Sequence, residues 1–274
     1  MKIKNTNFSI NSNIADTDIV LISDLHYHSK NNIKVLNNVL DQIKKISPEF
    51  ICIPGDLIDK SEILDEDELI SWLVKLANIS KVILSLGNHE FYINRSKGEF
   101  GLNKEFYKKI KSIDNLYFLD NTSVKFNNIN FIGLTLPIEH FIKESHQEFP
   151  IKEYSKFIKS DKECYNIVLC HSPLSIINVA HKLNVDLILC GHTHGGVVPF
   201  FLRKVFRGSG FISPSKTLFP KNCYGLIKRG KTNIVITSGI TILSNLNKFN
   251  KFNRFFSSEI VNIKIKKATK IECS

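Results

Sequence analysis

Five short polar blocks in this sequence each follow a run of aliphatic and β-branched residues. The runs are IVLIS, FICIP, KVILSL, NIVLC and VDLILC. Buried parallel strands read as continuous apolar runs of this kind, and ligands collect just beyond the carboxyl ends of strands in open α/β sheets. Five strand ends therefore direct polar side chains toward one place. The blocks that follow the runs are DLH at 24–26, GDLID at 55–59, GNHE at 87–90, His171 and GHTHGG at 191–196.

Apolar residues at helical spacing separate the first three runs. Residues 32–46 carry this spacing up to Pro48, and the acidic stretch SEILDEDE begins a second helix that extends to about Leu76. Strand, helix, strand, helix and strand thus follow one another by residue 86. This order predicts a parallel sheet with right-handed crossovers.

The rest of the chain predicts a second group of strands. We expect a helix at 102–110, a hairpin with its tip at Asn127-Asn128, a polar helical region, a strand at 166–170, a helix from Pro173 and a strand at 185–190. Three more strands, in YGLIKRG, TNIVITSGI and SSEIVNIKIKK, are expected to form a second sheet packed on the first. We interpret residues 1–274 as a single domain. Residues at about 197–222 are interpreted as a basic, aromatic-rich insertion, and loops this long are usually functional or disordered.

The blocks contain seven side chains of the kinds that ligate metals, namely Asp24, His26, Asp56, Asn88, His171, His192 and His194. Asp24 and His26 are two positions apart, so both would point the same way from an ending strand. Asp56 follows Gly55 in a turn that glycine makes sterically easy, and its carboxylate offers one oxygen to each of two ions. Oxygen and nitrogen donors without thiolate suit Mn, Fe, Zn or Ni. Seven ligands are too many for one open site, so we expect two divalent ions, with Mn as the first expectation.

This ligand set predicts a reaction. Two divalent ions about 3.5 to 4 Å apart can hold a hydroxide between them and bind the oxygens of a phosphoryl group for in-line attack. A site of this kind hydrolyses phosphate esters. The leaving oxygen then needs a proton, and His89 beside Asn88 is placed to supply it as general acid. Asp59 or Glu90 is expected to orient an imidazole, as carboxylates commonly do around metal sites.

In order and type, these blocks resemble the signature of the calcineurin-like metallophosphoesterases, which is DxH, GDxxD, GNHE, a lone His and GHTH. The resemblance implies a four-layer α/β/β/α sandwich of two mixed sheets flanked by helices. It also implies that His89 is the catalytic acid. The two metal sites that it implies are Asp24, His26, Asp56 and His194 for one ion, and Asp56, Asn88, His171 and His192 for the other.

A finer resemblance concerns the GHTHGG block together with YGLIKRG and SSEIVNIKI. These segments look most like the bacterial branch of the family that is related to membrane-associated and lipid-linked pyrophosphate hydrolases. Three places depart from the patterns of the family. His28 and Ser29 stand where small residues often follow DxH, Lys60 stands where the protein phosphatases carry arginine, and Val197 stands where the branch often has glutamine.

Basic residues are concentrated near the end of the sequence. Residues 1–196 hold 22 Lys or Arg against 24 Asp or Glu, whereas residues 197–274 hold 15 against 2. Such a segment favours a polyanionic partner, and phenylalanine rings between cations suit a membrane surface whose lipid phosphates meet the cations. Core packing of the rings and binding of single-stranded nucleic acid are alternatives, the latter less favoured because Trp and Tyr are absent from 197–222. The expected substrate or membrane contacts are Arg203, Lys204, Arg207, Phe200 and Phe201.

The remaining features concern location and function. The sequence shows neither the apolar core of a signal peptide nor a run approaching about 18 apolar residues, so we expect a cytoplasmic protein with peripheral contact to the inner face of the membrane. Six cysteines without a CxxC pair favour free buried thiols in a reducing compartment. We expect a dimetal phosphoesterase that cleaves a phosphodiester or pyrophosphate bond of a small or lipid-linked substrate by attack of a metal-bridging hydroxide. A nuclease or nucleotide phosphodiesterase and a non-catalytic metal-binding scaffold are the alternatives.

Overall fold

Strands and short helices alternate along most of the chain, which a computed structural model describes for residues 3–27, 30–59, 65–94, 99–142, 148–213, 217–240 and 258–268. Within these residues the strands are β1 (Ile3–Ser12), β2 (Thr17–Leu21), β3 (Phe50–Pro54), β4 (Lys81–Ser85), β5 (Tyr92–Asn94), β6 (Glu99–Phe100), β7 (Leu116–Leu119), β8 (Thr122–Phe126), β9 (Ile129–Leu134), β10 (Tyr165–Cys170), β11 (Leu187–Cys190), β12 (Gly225–Arg229), β13 (Thr232–Ile236) and β14 (Ser258–Lys267). The helices are α1 (Lys30–Ile46), α2 (Glu66–Ala77), α3 (Lys104–Lys111), α4 (Glu139–Ile142), α5 (Ile151–Tyr154), α6 (Pro173–Val179) and α7 (Arg203–Phe206).

The strands form two six-stranded sheets and a two-stranded ribbon of β5 and β6. The strand order is β1-β14-β2-β3-β4-β7 in the first sheet and β12-β13-β11-β10-β9-β8 in the second. In each sheet the central strands are parallel, from β2 to β7 in the first and from β9 to β13 in the second. Antiparallel pairs at β14 with β2, β12 with β13 and β8 with β9 make both sheets mixed.

The two sheets pack face to face, with helices on both outer faces. Successive side chains of a strand point to opposite sides of its sheet, and β2 shows the result. Ile19 belongs to the core between the sheets, whereas Val20 packs in the core beneath α1 and α2. In the second sheet, Ile167 faces the core between the sheets and Val168 packs with α6. The predicted four-layer α/β/β/α sandwich is therefore confirmed.

Several predicted elements are present near their predicted limits. The predicted helix at 102–110 is α3, and residues 127–128 connect β8 to β9 as a hairpin. At the start of α2 the carboxylate of Asp65 accepts a hydrogen bond from the Glu68 N–H at 3.0 Å, which caps the helix. Residues 61–64 of the predicted helix start lie outside the described residues. The predicted helix from Pro173 is α6, and the Ser172 hydroxyl caps it.

One prediction about local structure is wrong, and one strand was not predicted. The polar region before β10 is predicted to be helical, but its described residues contain only the four-residue helices α4 and α5. Pro150 immediately precedes α5, and a proline cannot continue a helix from earlier residues because it lacks the backbone donor. The strand β1 was not predicted, because its alternating polar residues give no continuous apolar run. Among the described residues it lies at the edge of the first sheet, where it pairs with β14.

The prediction for the last three strands is correct for two of them. The segments YGLIKRG and TNIVITSGI form β12 and β13 in the second sheet, but β14 lies in the first sheet. There it pairs in parallel with β1 and antiparallel with β2. Strand partners so distant in sequence are chosen by tertiary packing, which the local pattern does not encode.

Two further findings concern the cysteines and the helices. Cys52, Cys164, Cys170 and Cys190 are buried free thiols, as predicted. No helix among the described residues combines the length and the hydropathy needed to cross a membrane.

Candidate metal centre

The seven predicted ligands all lie just beyond the carboxyl ends of strands, and both sheets contribute. Five strands carry them: β2, β3 and β4 of the first sheet and β10 and β11 of the second. Six of the seven are buried, and the side chain of His194 is 17% exposed. The centre therefore sits at the edge where the two sheets meet and opens to solvent beside His194.

The backbone at these positions differs from the strand geometry that the sequence suggested. β2 ends at Leu21, before the ligands, and Asp24 and His26 have φ angles of 53° and 47°. The rule that residues two apart in a strand point the same way therefore does not apply to them, and that prediction is corrected. Asp56, His192 and His194 also have positive φ, at 52°, 69° and 47°. Residues other than glycine seldom adopt this conformation, and it persists only where surrounding contacts hold it.

Backbone hydrogen bonds between loops hold this conformation. The N–H of Asp24 donates to the carbonyl of Gly55 at 3.3 Å, and the N–H of His26 donates to the carbonyl of Asp56 at 3.1 Å. Gly55 itself has a φ of 102°, and a Cβ atom there would overlap the backbone of Gly87. The first two ligand loops are thus locked to each other and packed against the third.

One group of candidate ligands consists of Asp24, His26 and His194. Their ligand atoms all lie within 4.8 Å of one another. The Oδ1 atom of Asp24 is 3.9 Å from Nε2 of His26 and 3.8 Å from Nε2 of His194. Asp24 is also fixed from the second sheet, because its Oδ1 accepts a hydrogen bond from the N–H of His192 at 3.0 Å.

The other group consists of Asp56, His171 and His192, again with ligand atoms within 4.8 Å of one another. The Oδ2 atom of Asp56 lies 3.0 Å from Nε2 of His171 and 3.7 Å from Nε2 of His26, so this carboxylate faces both groups. Asn88 immediately precedes His89, whose N–H donates to Oδ1 of Asp56 at 2.9 Å.

The donor atoms of this second group, together with Asn88, fit a bound cation. Among the described residues, Oδ1 of Asn88 and Nε2 of His192 are buried and have no hydrogen-bond partner. Burying such an atom without a partner costs about 1–3 kcal/mol, and a divalent ion would remove that cost. Nδ1 of His171 lies 2.8 Å from the carbonyl of Pro54, which leaves Nε2 to face Asp56. A ligating histidine commonly has its other ring nitrogen held in this way.

Burial and charge set the protonation of these groups. Burial and the nearby His89 hold the pKa of His26 well below its ordinary value, and burial and His171 do the same for the pKa of His192. Both rings are therefore neutral, which is the form that binds metals. Burial alone would raise the pKa of Asp56, but the neighbouring His171 and His89 hold it well below its usual range. Asp56 is thus ionised and can bind two cations.

His89 lies at the edge of the centre and is 12% exposed. Its Nδ1 atom is 2.6 Å from the carbonyl oxygen of Asp59 and 3.3 Å from Oδ1 of the same residue. With Nδ1 donating to this carbonyl, Nε2 points into the centre, 4.0 Å from Oδ2 of Asp56. Burial lowers the pKa of His89, but the carboxylates of Asp56 and Asp59 outweigh it and raise the pKa to about 9. The ring is thus protonated at neutral pH in the metal-free chain.

Asp59 lies beside imidazole rings, whereas Glu90 accepts hydrogen bonds from the backbone. The Oδ1 atom of Asp59 lies 3.7 Å from Nδ1 of His26, in addition to its contact with His89. Glu90 is buried, and its two oxygens accept hydrogen bonds from four backbone N–H groups. The donors are those of Asp56 at 3.0 Å, Leu57 at 2.8 Å, Ile58 at 3.3 Å and Gly87 at 2.5 Å. Of the two carboxylates expected to orient an imidazole, Asp59 lies beside the rings of His26 and His89, whereas Glu90 joins two ligand loops through their backbones.

The predicted contacts in the segment 197–222 divide into two kinds. Lys204, Arg207 and Phe201 are exposed, whereas the side chain of Phe200 lies outside the described part of the structure. Arg203 is buried, with NH1 3.4 Å from Oε1 of Glu259 in β14. The prediction that Arg203 contacts a membrane or substrate is therefore corrected, because a buried charge needs a paired carboxylate and Glu259 supplies it. Arg203 anchors the segment to the first sheet.

Two residues at the centre escaped the sequence analysis. The ring of Phe141 in α4 packs against those of His171 and His192, with centroids 5.9 and 5.4 Å apart. No motif marks it, so the sequence held no signal for it. Gly239, with a φ of 82°, lies against Asp24, where a Cβ atom would come within 2.7 Å of the Asp24 Cβ. A glycine directly after the apolar run TNIVITS was the signal that could have indicated it.

Fold and site together define the class of protein. The four-layer sandwich gathers carboxylate, amide and imidazole side chains at its strand ends, with Asp56 between two groups of candidate ligands, and this arrangement suits a pair of divalent cations. The model of the Calcineurin-like phosphoesterase family matches residues 17–196, which include every candidate ligand. The chain belongs to this family, and the predicted membership is confirmed.

Related proteins agree with this assignment. A metallophosphoesterase of Helicobacter pylori strain J99 is 25% identical over 242 residues, covering 87% of this chain and 58% of that protein. Another, from Aquifex aeolicus strain VF5, is 27% identical over 212 residues, covering 74% of this chain and 75% of that protein. The chain thus spans little more than half the length of the Helicobacter relative.

A solved structure supports the fold. The crystal structure of TT1561 of Thermus thermophilus has a TM-score of 0.52 with this protein. The match covers 82% of this chain and 90% of that one, at 11% sequence identity. At so low an identity the likeness concerns the fold alone.

Proposed function

We propose that this protein is a phosphoester hydrolase that uses two divalent cations, with Mn preferred and Zn, Fe or Ni as alternatives, to cleave a phosphodiester or pyrophosphate bond. The observation that carries the proposal is the position of Asp56. Its ionised carboxylate faces His26 on one side and His171 on the other, so one side chain joins two groups of ligands. Two cations that share one carboxylate are an arrangement that promotes phosphoryl transfer to water.

The chain's own residues have distinct tasks in this reaction. When bound, a pair of divalent cations polarises the phosphoryl oxygens and activates water. Asp24, His26, Asp56 and His194 would hold one cation, and Asp56, Asn88, His171 and His192 the other. Glu90 fixes the loops that carry Asp56 and Asn88 by accepting four backbone hydrogen bonds. His89 holds a proton on Nε2 beside the centre and would donate it to the leaving oxygen.

The direct test is hydrolysis of a panel of phosphate esters by the purified chain with added Mn or Zn. The panel contains an aryl phosphomonoester, bis(4-nitrophenyl) phosphate, a nucleotide sugar, a phospholipid and single-stranded DNA and RNA. We expect turnover of the diester or the pyrophosphate, and its loss in Asp56→Asn. Selective cleavage of nucleic acid would favour the nuclease alternative. Bound metal without hydrolysis of any ester would overturn the proposal in favour of a metal-binding scaffold.

We propose further that the basic, aromatic segment 197–222 contacts an anionic membrane surface and that the substrate is lipid-linked. Support comes from the exposed apolar side chains. Of the seven large apolar side chains that are exposed among the described residues, five lie in this segment, namely Phe201, Val205, Phe211, Leu218 and Phe219. Exposed Lys204 and Arg207 lie among them, and rings flanked by cations suit an interface of acyl chains and lipid phosphates.

The finer resemblance to the branch of membrane-associated and lipid-linked pyrophosphate hydrolases belongs to this same proposal. That resemblance rests on GHTHGG, YGLIKRG and SSEIVNIKI, and the exposed apolar side chains separately support the membrane contact. Peripheral association with the inner face of a membrane is the location that it implies.

Liposome flotation tests the membrane contact. Vesicles of phosphatidylcholine with about one-third phosphatidylglycerol should carry the protein upward, and vesicles of phosphatidylcholine alone should carry much less, because each cation near an anionic surface contributes about 1 kcal/mol. Phe219→Ser should reduce binding. Leu226→Ser is the matched control, since Leu226 is also an exposed apolar residue but lies in β12. Equal flotation of both variants, or binding to single-stranded DNA instead of vesicles, would refute the membrane contact.

A further inference from the structure

A cavity of about 410 Å³ is lined in part by residues that follow β4 and β9 and has no part in the chemistry described so far. Its walls are mainly apolar, with Phe91, Leu136, Ile138 and Tyr154 among them. This volume is in the range of pockets that enclose small organic ligands, which are typically apolar with a few placed polar groups.

Two neighbouring parts of the centre form its walls. Phe91 completes the short helical turn that carries His89 and Glu90, and the N–H of Phe91 donates to the carbonyl of Asn88 at 3.2 Å. The opposite wall is the loop that leaves β9 and leads into α4. There the N–H of Phe141 donates to the carbonyl of Ile138 at 3.0 Å, and the Phe141 ring packs on His171 and His192.

The cavity therefore flanks the side of the centre formed by Asn88, His171 and His192. Its walls continue directly into elements that position these three ligands, on the first sheet through Phe91 and on the second through α4. A group attached to phosphorus at the centre would extend into this cavity on the side that His89 also borders.

One polar group in the wall lacks a partner. Among the described residues the Oγ1 atom of Thr135 is buried and makes no hydrogen bond. The backbone of Thr135 is firmly held, because its N–H donates to Oδ1 of Asn121 at 3.0 Å and its carbonyl accepts from the hydroxyl of Tyr154 at 2.8 Å. The backbone of Thr135 is thus fixed in the wall of the cavity, and a ligand oxygen that met its hydroxyl would supply the missing hydrogen bond.

We propose that this cavity binds the organic group of the phosphoester, an alkyl or aryl moiety with one oxygen that bonds to the Thr135 hydroxyl. The proposal rests on the proposed function, because it assigns the substrate class of that same centre. Apolar walls favour a hydrophobic substituent, and the single hydroxyl selects among such substituents.

A homologous series of substrates tests the first part. Alkyl 4-nitrophenyl phosphodiesters with chains from methyl to octyl are hydrolysed with Mn, and release of nitrophenol is measured. We expect kcat/KM to rise about three- to fourfold for each buried methylene until the cavity is filled. Hydrolysis of the methyl ester with no rise along the series would overturn the cavity assignment and leave the proposed function intact. Lack of hydrolysis of every ester by metal-loaded protein would overturn both.

Filling the cavity provides the matched variant. Ile138→Trp should flatten the chain-length dependence while the methyl ester is still hydrolysed. Leu226→Trp, which places the same ring on exposed β12, should retain the wild-type dependence. If kcat/KM of Ile138→Trp depends on chain length as in the wild type, and circular dichroism confirms its fold, the assignment is overturned.

Binding measurements without turnover give an independent readout. Isothermal titration calorimetry compares methylphosphonate with octylphosphonate, neither of which is hydrolysed, on the Mn-loaded protein. We expect the wild type to bind octylphosphonate more tightly than Ile138→Trp does, by about tenfold or more. Equal affinity of the wild type for the two phosphonates would contradict the proposal, whatever the catalytic result.

Thr135→Val tests the hydroxyl. Phenylphosphonates with a ring hydroxyl at the ortho, meta or para position are titrated into the wild type and the variant, with unsubstituted phenylphosphonate as reference. We expect at least one hydroxylated ligand to lose about fivefold or more in affinity, while the reference is unchanged. The same small effect on all four ligands would overturn the role of Thr135.

Discussion

The Nε2 atom of His171 lies 3.0 Å from Oδ2 of Asp56, although the two residues follow strands of different sheets. His192, from the second sheet, similarly donates its N–H to Asp24, from the first. The centre therefore exists only where the two sheets pack together. Packing of the core between the sheets therefore brings the ligands together.

His89→Ala should lower turnover by roughly 100- to 10,000-fold, because the leaving oxygen loses its proton donor. Metal content, measured by inductively coupled plasma mass spectrometry, should not change. His181→Ala is the control, since His181 is exposed and distant from the ligands. If His89→Ala loses metal as well as activity, then His89 is a ligand, as its place within 4.8 Å of His26 and Asp56 would also permit.

Asp56→Asn should deplete both metals, since its carboxylate faces both groups of ligands. His192→Ala should remove about one ion per chain, because it belongs to one group only. Asp114→Asn, an exposed substitution of the same kind, should keep the wild-type stoichiometry. Retention of two ions per chain by Asp56→Asn would contradict the shared role of this carboxylate.

Metal removal should lower the melting temperature. A cation that binds only the folded chain adds about 2.7 kcal/mol to the free energy of unfolding at 100 times its Kd, which amounts to several degrees. Differential scanning calorimetry with a chelator and then with excess Mn measures this difference. The same experiment on Asp56→Asn should show little response to Mn. A large response there would mean that the stabilising ions bind elsewhere.

Glu90→Ala should destabilise the protein by about 3 kcal/mol or more, because it leaves four backbone N–H groups without their buried acceptor. The free energy of unfolding is measured by urea denaturation. Glu153→Ala, at an exposed position of α5, should change it little. A loss in Glu90→Ala no greater than in this control would contradict the loop-joining role.

Buried thiols should resist alkylation in the native protein. Burial raises the pKa of Cys52 well above its ordinary value and that of Cys170 to about 12, so both stay protonated at about pH 9, where an ordinary thiol is mostly ionised. The thiolate is the reactive form, and iodoacetamide should therefore modify these residues only after denaturation. Peptide mass spectrometry reads the sites. Rapid native labelling of Cys52 at about pH 9 would contradict its place in the core.

The central strands and the helices between them could be predicted because each is a local pattern. The run FICIP is β3, and the helical spacing after β2 is α1. β1 escaped prediction because an edge strand with one solvated face has no continuous apolar run. The place of β14 between β1 and β2 also could not be predicted, because strand partners far apart in sequence are selected by packing.

In the site, too, residue types could be predicted from the sequence but their partners could not. The sequence left Asp59 and Glu90 as alternatives for orienting an imidazole, and the structure shows Glu90 accepting hydrogen bonds from four backbone amides. Arg203 was grouped with its exposed neighbours Lys204 and Arg207, but Glu259 of β14 draws it into the interior. Residue type indicates what a side chain can bond to. Which partner it meets depends on a segment that lies elsewhere in the sequence.

The sequence by itself determined the ligand types, their order and their attachment to strand ends, because apolar runs and the residues that follow them are properties of neighbouring positions. Only the tertiary structure decided how these residues meet. Contacts between the loops that follow β2 and β3 hold Asp24, His26 and Asp56 in left-handed backbone conformations that residues other than glycine seldom adopt. Packing of the two sheets brings His171 to Asp56 and leaves the cavity beside Thr135, since such distances are not fixed by the local chain.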